Sequence, residues 1–401
     1  MHPSPPDTRE EGSFDRGNVV YLSGAHFIHD CYPAFIGVLL PILIPRLGLS
    51  LTAAGILASS MRWTTSLQPF LGYWADRRDT RYWVILAPTT TAVCMSVAGL
   101  SPNVGVLLVL LLSTGVSHAA FHPAAGALVT RISGPSWGKG MSYFMTGGEL
   151  GRVIGPLAIA AMIGFVGIEQ SWIIVIPGIL ASFILYRRFR HADFATAGSR
   201  PPRMRGVLNE GRTPLLLMAI IIILRSFMIV GFLVFYPTFA TGLGSTLLIA
   251  GLGLTIYELG GTIGAFVGGL LSDRIGRVRT MVIGLLFAVP MLLAAVAMGP
   301  TLAGIAFIGL GGLGLLSSQA VELVVMQQLL PEHRSSAVGI TYLLKAIGGT
   351  AATILIGAAG DVMGIQNALF ISVTVGLVAL PVLYMMRPHD DIRAATSPST
   401  G

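Results

Sequence analysis

Twelve apolar stretches recur along this chain, at 18–45, 51–75, 82–100, 104–131, 138–166, 170–187, 213–241, 246–272, 279–298, 301–330, 335–363 and 365–386. Each is roughly 17 residues or more, enough for a helix to cross a bilayer. Lipid offers no hydrogen bonds, so a segment at that depth must pair its own backbone groups, and each stretch is expected to be helical. Only 11% of the 401 residues are charged and 53% are hydrophobic, which excludes an ordinary soluble chain. The fold class expected is an all-α membrane protein with twelve transmembrane helices.

The 25 Lys and Arg residues are unevenly placed. With both termini cytoplasmic, 20 of them fall in cytoplasmic segments, Arg46 alone lies outside, and four lie within spans. Such an excess sets orientation, so a multi-pass protein of the inner (plasma) membrane with both termini in the cytoplasm is expected. The net charge of +7 is then an orientation signal that also favours anionic lipid, and nucleic acid is not a partner. Met1 to Gly17 carries four acids against Arg9 and Arg16, the wrong sign for the start of a signal peptide. Cys31 and Cys94 both lie in apolar runs and offer neither a disulfide framework nor metal-ligand spacing.

Two patterns repeat at nearly half the chain length. Gly72-Tyr-Trp-Ala-Asp76-Arg77 ends the second stretch and Gly269-Leu-Leu-Ser-Asp273-Arg274 the eighth. Gly140-Met-Ser-Tyr143 opens the fifth and Gly339-Ile-Thr-Tyr342 the eleventh. Similar offsets argue for duplicated six-helix bundles. The expected organisation is an N-terminal tail over 1–17, a bundle over 18–187, a linker over 188–212, a second bundle over 213–387 and a tail over 388–401.

Eight ionisable side chains lie near mid-span: Asp30, Arg62, Glu149, Arg152, Arg225, Glu258, Glu322 and Lys345. Charges at that depth face a protein interior or a watery cavity and are functional candidates. Glu149 and Arg152, three apart, share a helix face with Gly147, Gly151 and Gly155 spaced four apart around them. Those glycines predict close approach of another helix backbone. An acid that changes protonation beside a base can exchange a proton for substrate, and Asp30 and Glu149 are the leading proton carriers. Arg62, Arg152, Arg225 and Lys345 can hold an anion, or each can simply neutralise a nearby acid. His26 and His29 are three apart, and His118 and His122 four apart. A metal site between spans one and four can be drawn from them, but no Cys or HExxH pattern supports it. Packing, substrate hydrogen bonding or proton relay are the readings given to these histidines, and neither metal nor cofactor is expected. Gly309-Leu-Gly311-Gly-Leu-Gly314 matches a dinucleotide-binding pattern but has no soluble strand before it, so helix packing explains it. Without a Walker A sequence or a hydrolase elbow, no enzyme is expected.

Twelve spans as six plus six, with Gly-x-x-x-Asp-Arg after the second span of each half, resemble the major facilitator superfamily. Gly151-x-x-x-Gly155-Pro156 resembles the span-five signature of its drug/proton antiporters. His26-Phe-Ile-His-Asp30, Leu67-Gln68-Pro69-x-x-Gly72-Tyr73-Trp74-x-Asp76, Phe121-His122-Pro123 and Gly147-Gly148-x-x-Gly151 resemble the fosmidomycin-resistance branch of efflux proteins. The resemblance implies a cavity lined by spans one, two, four, five, seven, eight, ten and eleven, which here carry all eight mid-span charges. It also implies gating by Asp76 and Asp273, each pairing with basic residues such as Arg131 or Arg334, with Arg77, Arg274 and Arg277 beside them.

The resulting expectation is a proton-coupled antiporter that exports a small drug or metabolite by alternating access. Asp30 and Glu149 couple protons, and His26, Arg62, His122, Tyr143, Arg152, Arg225, Glu258, Glu322 and Lys345 bind substrate. Expected partners are that small molecule, protons and membrane lipid, with the chain acting as a monomer. Two alternatives stay open: an uptake symporter or uniporter for an organic anion or metal chelate, and a non-transporting sensor or scaffold.

Overall fold

The structure is a computed structural model that describes residues 14–75, 78–191, 212–331 and 334–386. The first half holds α1 (Arg16–Cys31), α2 (Phe35–Leu47), α3 (Leu51–Thr65), α4 (Gln68–Ala75), α5 (Arg81–Ala98), α6 (Val104–Ile132), α7 (Trp137–Val166) and α8 (Ile176–Phe189). The second holds α9 (Arg212–Gly242), α10 (Leu247–Ile275), α11 (Arg277–Met298), α12 (Leu302–Leu316), α13 (Gln319–Leu329), α14 (Arg334–Met363), α15 (Ile365–Thr374) and α16 (Ala379–Met386).

Ten helical stretches among the described residues are long and apolar enough to cross a membrane, against the twelve expected. The two that fall short have identifiable causes. The stretch 51–75 is broken between α3 and α4, after Arg62 and before Pro69. The stretch 82–100 forms the single helix α5, whose arginine, tryptophan and three threonines dilute its hydropathy. The expected tails and linker lie largely outside the described residues.

Four helices that start at one end of the molecule are capped by a polar side chain. Ser50 accepts from the Ala53 amide at 3.1 Å, and Asn103 from Val106 at 2.9 Å. Thr246 accepts from Ile249 at 3.3 Å, and Thr301 from Gly304 at 3.1 Å. These caps satisfy amides that an α-helix leaves unpaired at its start. Ser50 and Thr246, and likewise Asn103 and Thr301, sit at nearly the same interval as the two sequence repeats. At the opposite end, Gly276 takes φ +98° and turns the chain from α10 directly into α11. The first repeat lacks that glycine, and its link from α4 to α5 is longer.

The glycines of α7 do what their spacing predicts. A Cβ on Gly147, Gly151 or Gly155 would strike the α1 backbone at Ser23, Phe27 or Cys31 respectively. Gly312, within the rejected dinucleotide pattern, lies against the Tyr257 carbonyl of α10 in the same manner. Contacts between the halves run through α2 on α9 and α10, α3 on α14, and α7 on α10. In contrast α4 packs on α6, and α13 on α9, α10, α11 and α14, each within its own half. The halves therefore close at the end holding Leu51 and part toward the end holding α4 and α13.

Gly151→Val forces a branched side chain into the α1 backbone and is expected to cost about 1–3 kcal/mol of packing. The thermal midpoint in detergent should fall, whereas Gly164→Ala on the same helix, where a Cβ meets nothing within 4 Å, should leave it unchanged.

Candidate functional site

Three clusters of ionisable side chains occupy the middle of the helices. The first is built on α1. Asp30, 4% exposed, lies 3.3 Å from His26 Nε2, 3.5 Å from His122 Nε2 and 3.8 Å from His118 Nδ1. His26 Nδ1 is 2.7 Å from the Phe144 carbonyl, which can only accept, so Nδ1 carries a proton. A neutral His26 would then turn the lone pair of Nε2 toward the Asp30 carboxylate. The pair thus sets an imidazole nitrogen 3.3 Å from a buried carboxylate, an arrangement through which a proton can pass.

The second cluster crosses between the halves. Arg152 pairs with Glu149 on its own helix, and its Nε lies 3.9 Å from Glu258 Oε2 on α10. Arg62 of α3 rests its stem against Gly349 of α14, within electrostatic reach of Glu258 and Arg152. Thr255 strengthens this seam by donating to the Val153 carbonyl at 2.8 Å. Tyr143 and Tyr342, the tyrosines of the second sequence repeat, are both exposed on the parted side of the cluster.

The third cluster lies inside the C-terminal half. Arg225 donates to Glu322 and to the Leu315 carbonyl. Lys345 Nζ is 3.9 Å from Glu322 Oε2 and 5.8 Å from the Tyr342 ring centre. Arg225 and Glu322 are 2% and 1% exposed. Both are thus occupied with each other, and only Lys345 of this cluster is half-buried and reachable.

Among the gating candidates, Arg131 and Arg274 are exposed, and Arg277 is half-buried. Asp273 is exposed at the end of α10. Asp76, Arg77 and the side chain of Arg334 lie outside the described residues. A contact that sequence reasoning missed closes the opposite end. Asp361 of α14 accepts from the Leu51 amide at 2.7 Å, the Thr52 amide at 2.9 Å and the Thr52 hydroxyl at 2.6 Å. A carboxylate from one half thereby caps the first turn of α3 in the other, where the helix dipole also favours negative charge. In sequence Asp361 is only an acid near the end of a span, and nothing there points to residue 51.

Residues 22–251 and 215–399 match the family described as Major Facilitator Superfamily. The chain is 27% identical over 363 residues to the uncharacterized MFS-type transporter YfnC of Bacillus subtilis, covering 85% of this chain and 87% of that protein. It is 24% identical over 348 residues to the fosmidomycin resistance protein of Escherichia coli, covering 83% and 84%. It is 23% identical over 287 residues to the multidrug resistance protein MdtG of Salmonella dublin, covering 68% and 69%. Among solved structures, a bacterial homolog of the human lysosomal transporter Spinster, inward-facing and occupied, superposes with TM-score 0.81 at 17% identity over 99% of this chain and all of that one. The nucleoside transporter NupG gives 0.74 at 14% identity over 92% and 99%.

Asp361→Ala removes the three cross-half hydrogen bonds, worth about 1 kcal/mol after discounting for exposure. Thr353 is buried where α14 meets Gly55 of α3. In a background lacking Cys31 and Cys94, a cysteine replacing Thr353 should react with a membrane-impermeant maleimide roughly fivefold faster once Asp361 is removed. Equal rates would show that the carboxylate does not hold this end shut.

Proposed function

Because the chain belongs to the Major Facilitator Superfamily, and is therefore a multi-pass membrane transporter and not an enzyme, we propose that it is a proton-coupled antiporter exporting a small drug or metabolite by alternating access. The observation that carries this reading is the ion chain Glu149, Arg152, Glu258 spanning the two halves beside the buried pair of Asp30 and His26.

Arg152 has one carboxylate on its own helix and one on the opposite half. Movement between the halves changes which of them it meets, and the part of the guanidinium that Glu149 leaves unpaired can clasp an anionic cargo. Arg62 and Lys345 add positive charge on the same seam, with Tyr143, His122 and His26 along its N-terminal side. Arg225 and Glu322 act from behind, as a paired strut that orients Lys345. Twelve spans are assigned in two bundles over 18–187 and 213–387, counting α3 with α4, and α5, as spans. The parted end is the cytoplasmic one, on the distribution of Lys and Arg. Asp76, Arg77, Arg131, Asp273, Arg274, Arg277 and Arg334 gate that end, and Asp361 gates the other.

In the cycle, cargo reaches the cationic seam from the cytoplasm and favours proton release from Asp30 or Glu149. The halves rock, the cargo leaves, and a proton from outside resets the carriers. The names of the fosmidomycin and multidrug resistance relatives support export of a drug-like cargo. The excess of cations over acids at the reachable seam also favours a second reading, uptake of an organic anion by the same groups.

In proteoliposomes carrying a pH-sensitive dye, fosmidomycin, carboxylates and cationic drugs should be tested as cargo under an imposed pH gradient. At least one class should drive opposite proton movement. Glu149→Gln and Asp30→Asn should each slow it at least about tenfold, equivalent to 1.4 kcal/mol of barrier. Movement of cargo and protons in the same direction would favour uptake by symport, and cargo flux indifferent to the gradient in the wild type and in Glu149→Gln alike would remove proton coupling.

A further inference from the structure

Sequence spacing alone supported no metal site, but the fold brings two i, i+4 pairs face to face: His26 with Asp30 on α1, and His118 with His122 on α6. His29 lies between them, its ring stacked on His118 with centroids 5.6 Å apart. We propose that His29, Asp30, His118 and His122 form a binding site for a divalent transition metal of the zinc class.

Three of the donor atoms already stand at coordination spacing. His118 Nδ1 and His122 Nε2 are 3.2 Å apart, and Asp30 Oδ1 is 3.5 Å from the latter and 3.8 Å from the former. Nitrogen and oxygen donors about 2.0–2.1 Å from a tetrahedral zinc lie roughly 3.4 Å from one another. One donor atom from each of the four residues falls within 4.8 Å of all the others.

The surrounding hydrogen bonds prepare the donors. The Thr91 hydroxyl gives its proton to the Ala87 carbonyl at 2.9 Å and so accepts from His29 Nδ1 at 3.1 Å. His29 is thereby fixed with an unprotonated Nε2, which is buried and has no hydrogen-bond partner. Asp30 Oδ1 is likewise buried without a hydrogen bond, its nearest partners being His122 at 3.5 Å and His118 at 3.8 Å. Two such atoms in one cluster are costly to leave unmatched, and a cation would satisfy both. Imidazole and carboxylate together select zinc, cobalt or nickel over magnesium. His29 and Asp30 form the buried floor, while the His118 side chain is 25% exposed and leaves a route in.

The test uses the full chain in detergent, with any affinity tag removed, titrated with Co²⁺ alone. Visible absorption of tetrahedral cobalt should saturate at one equivalent and be displaced by Zn²⁺, and Mg²⁺ should neither displace it nor raise the thermal midpoint. His118→Gln and His122→Gln should each weaken binding by at least about tenfold, the loss seen when only a group orienting a ligand is changed. Absence of a saturating cobalt spectrum in the folded wild type would overturn the proposal whatever the variants do. Undiminished binding in the double variant would overturn it equally. The titration reads nothing of transport, so its failure leaves the antiport reading standing and the reverse also holds.

Discussion

A charge at the middle of a bilayer persists only where a neighbouring helix supplies an opposite charge or a hydrogen bond, and that requirement organises this molecule. Asp30 finds its partners on α6 as well as on α1. Arg152 on α7 reaches Glu258 on α10. Arg225 on α9 is matched by Glu322 on α13 and by a carbonyl of α12. Each pairing ties together helices distant in sequence, so the same side chains that can carry protons or cargo also define how the helices assemble.

Helix breaks lie beside these charges. α1 gives way to α2 just after Asp30, α3 to α4 three residues after Arg62, and α12 to α13 three residues before Glu322. An interrupted helix exposes carbonyls that lack their usual amide partner. Arg225 uses one of them at Leu315. Tyr32 in the first break donates to the Ile174 carbonyl at 2.8 Å and accepts from the Gly178 amide at 3.1 Å, fastening the interruption to the start of α8. Irregular backbone at this depth is thus held by side chains from elsewhere in the fold.

Features with local causes were legible in the sequence. Apolar length located the helices to within a few residues, and the four-residue glycine spacing of Gly147, Gly151 and Gly155 correctly announced a close helix contact. The polar caps Ser50, Asn103, Thr246 and Thr301 were visible as residues, but their recurrence acquires meaning only once they are seen to begin helices at one end. Features that depend on which helices become neighbours were hidden. Asp361 and Leu51 are separated by 310 positions, and no pattern links them. Arg225 read like Arg152 in sequence, yet one is sealed against Glu322 and the other stands on the seam, a difference decided by packing alone. The histidines of α1 and α6 could be drawn together from sequence, but that they surround Asp30 was visible only in the fold.

The central claim is that two halves hinge about the charged seam, so that one end opens as the other closes. Pulsed spin-label distances in nanodiscs test it most directly. One label pair would replace Val104 and Leu302 at the closed end, and the other Trp137 and Leu270 at the parted end, all four being exposed positions. Changing pH across the neutral range should lengthen the first distance while shortening the second, and Glu149→Gln should fix the ratio of the two populations. Distances that stay constant, or that lengthen together at both ends, would contradict the account.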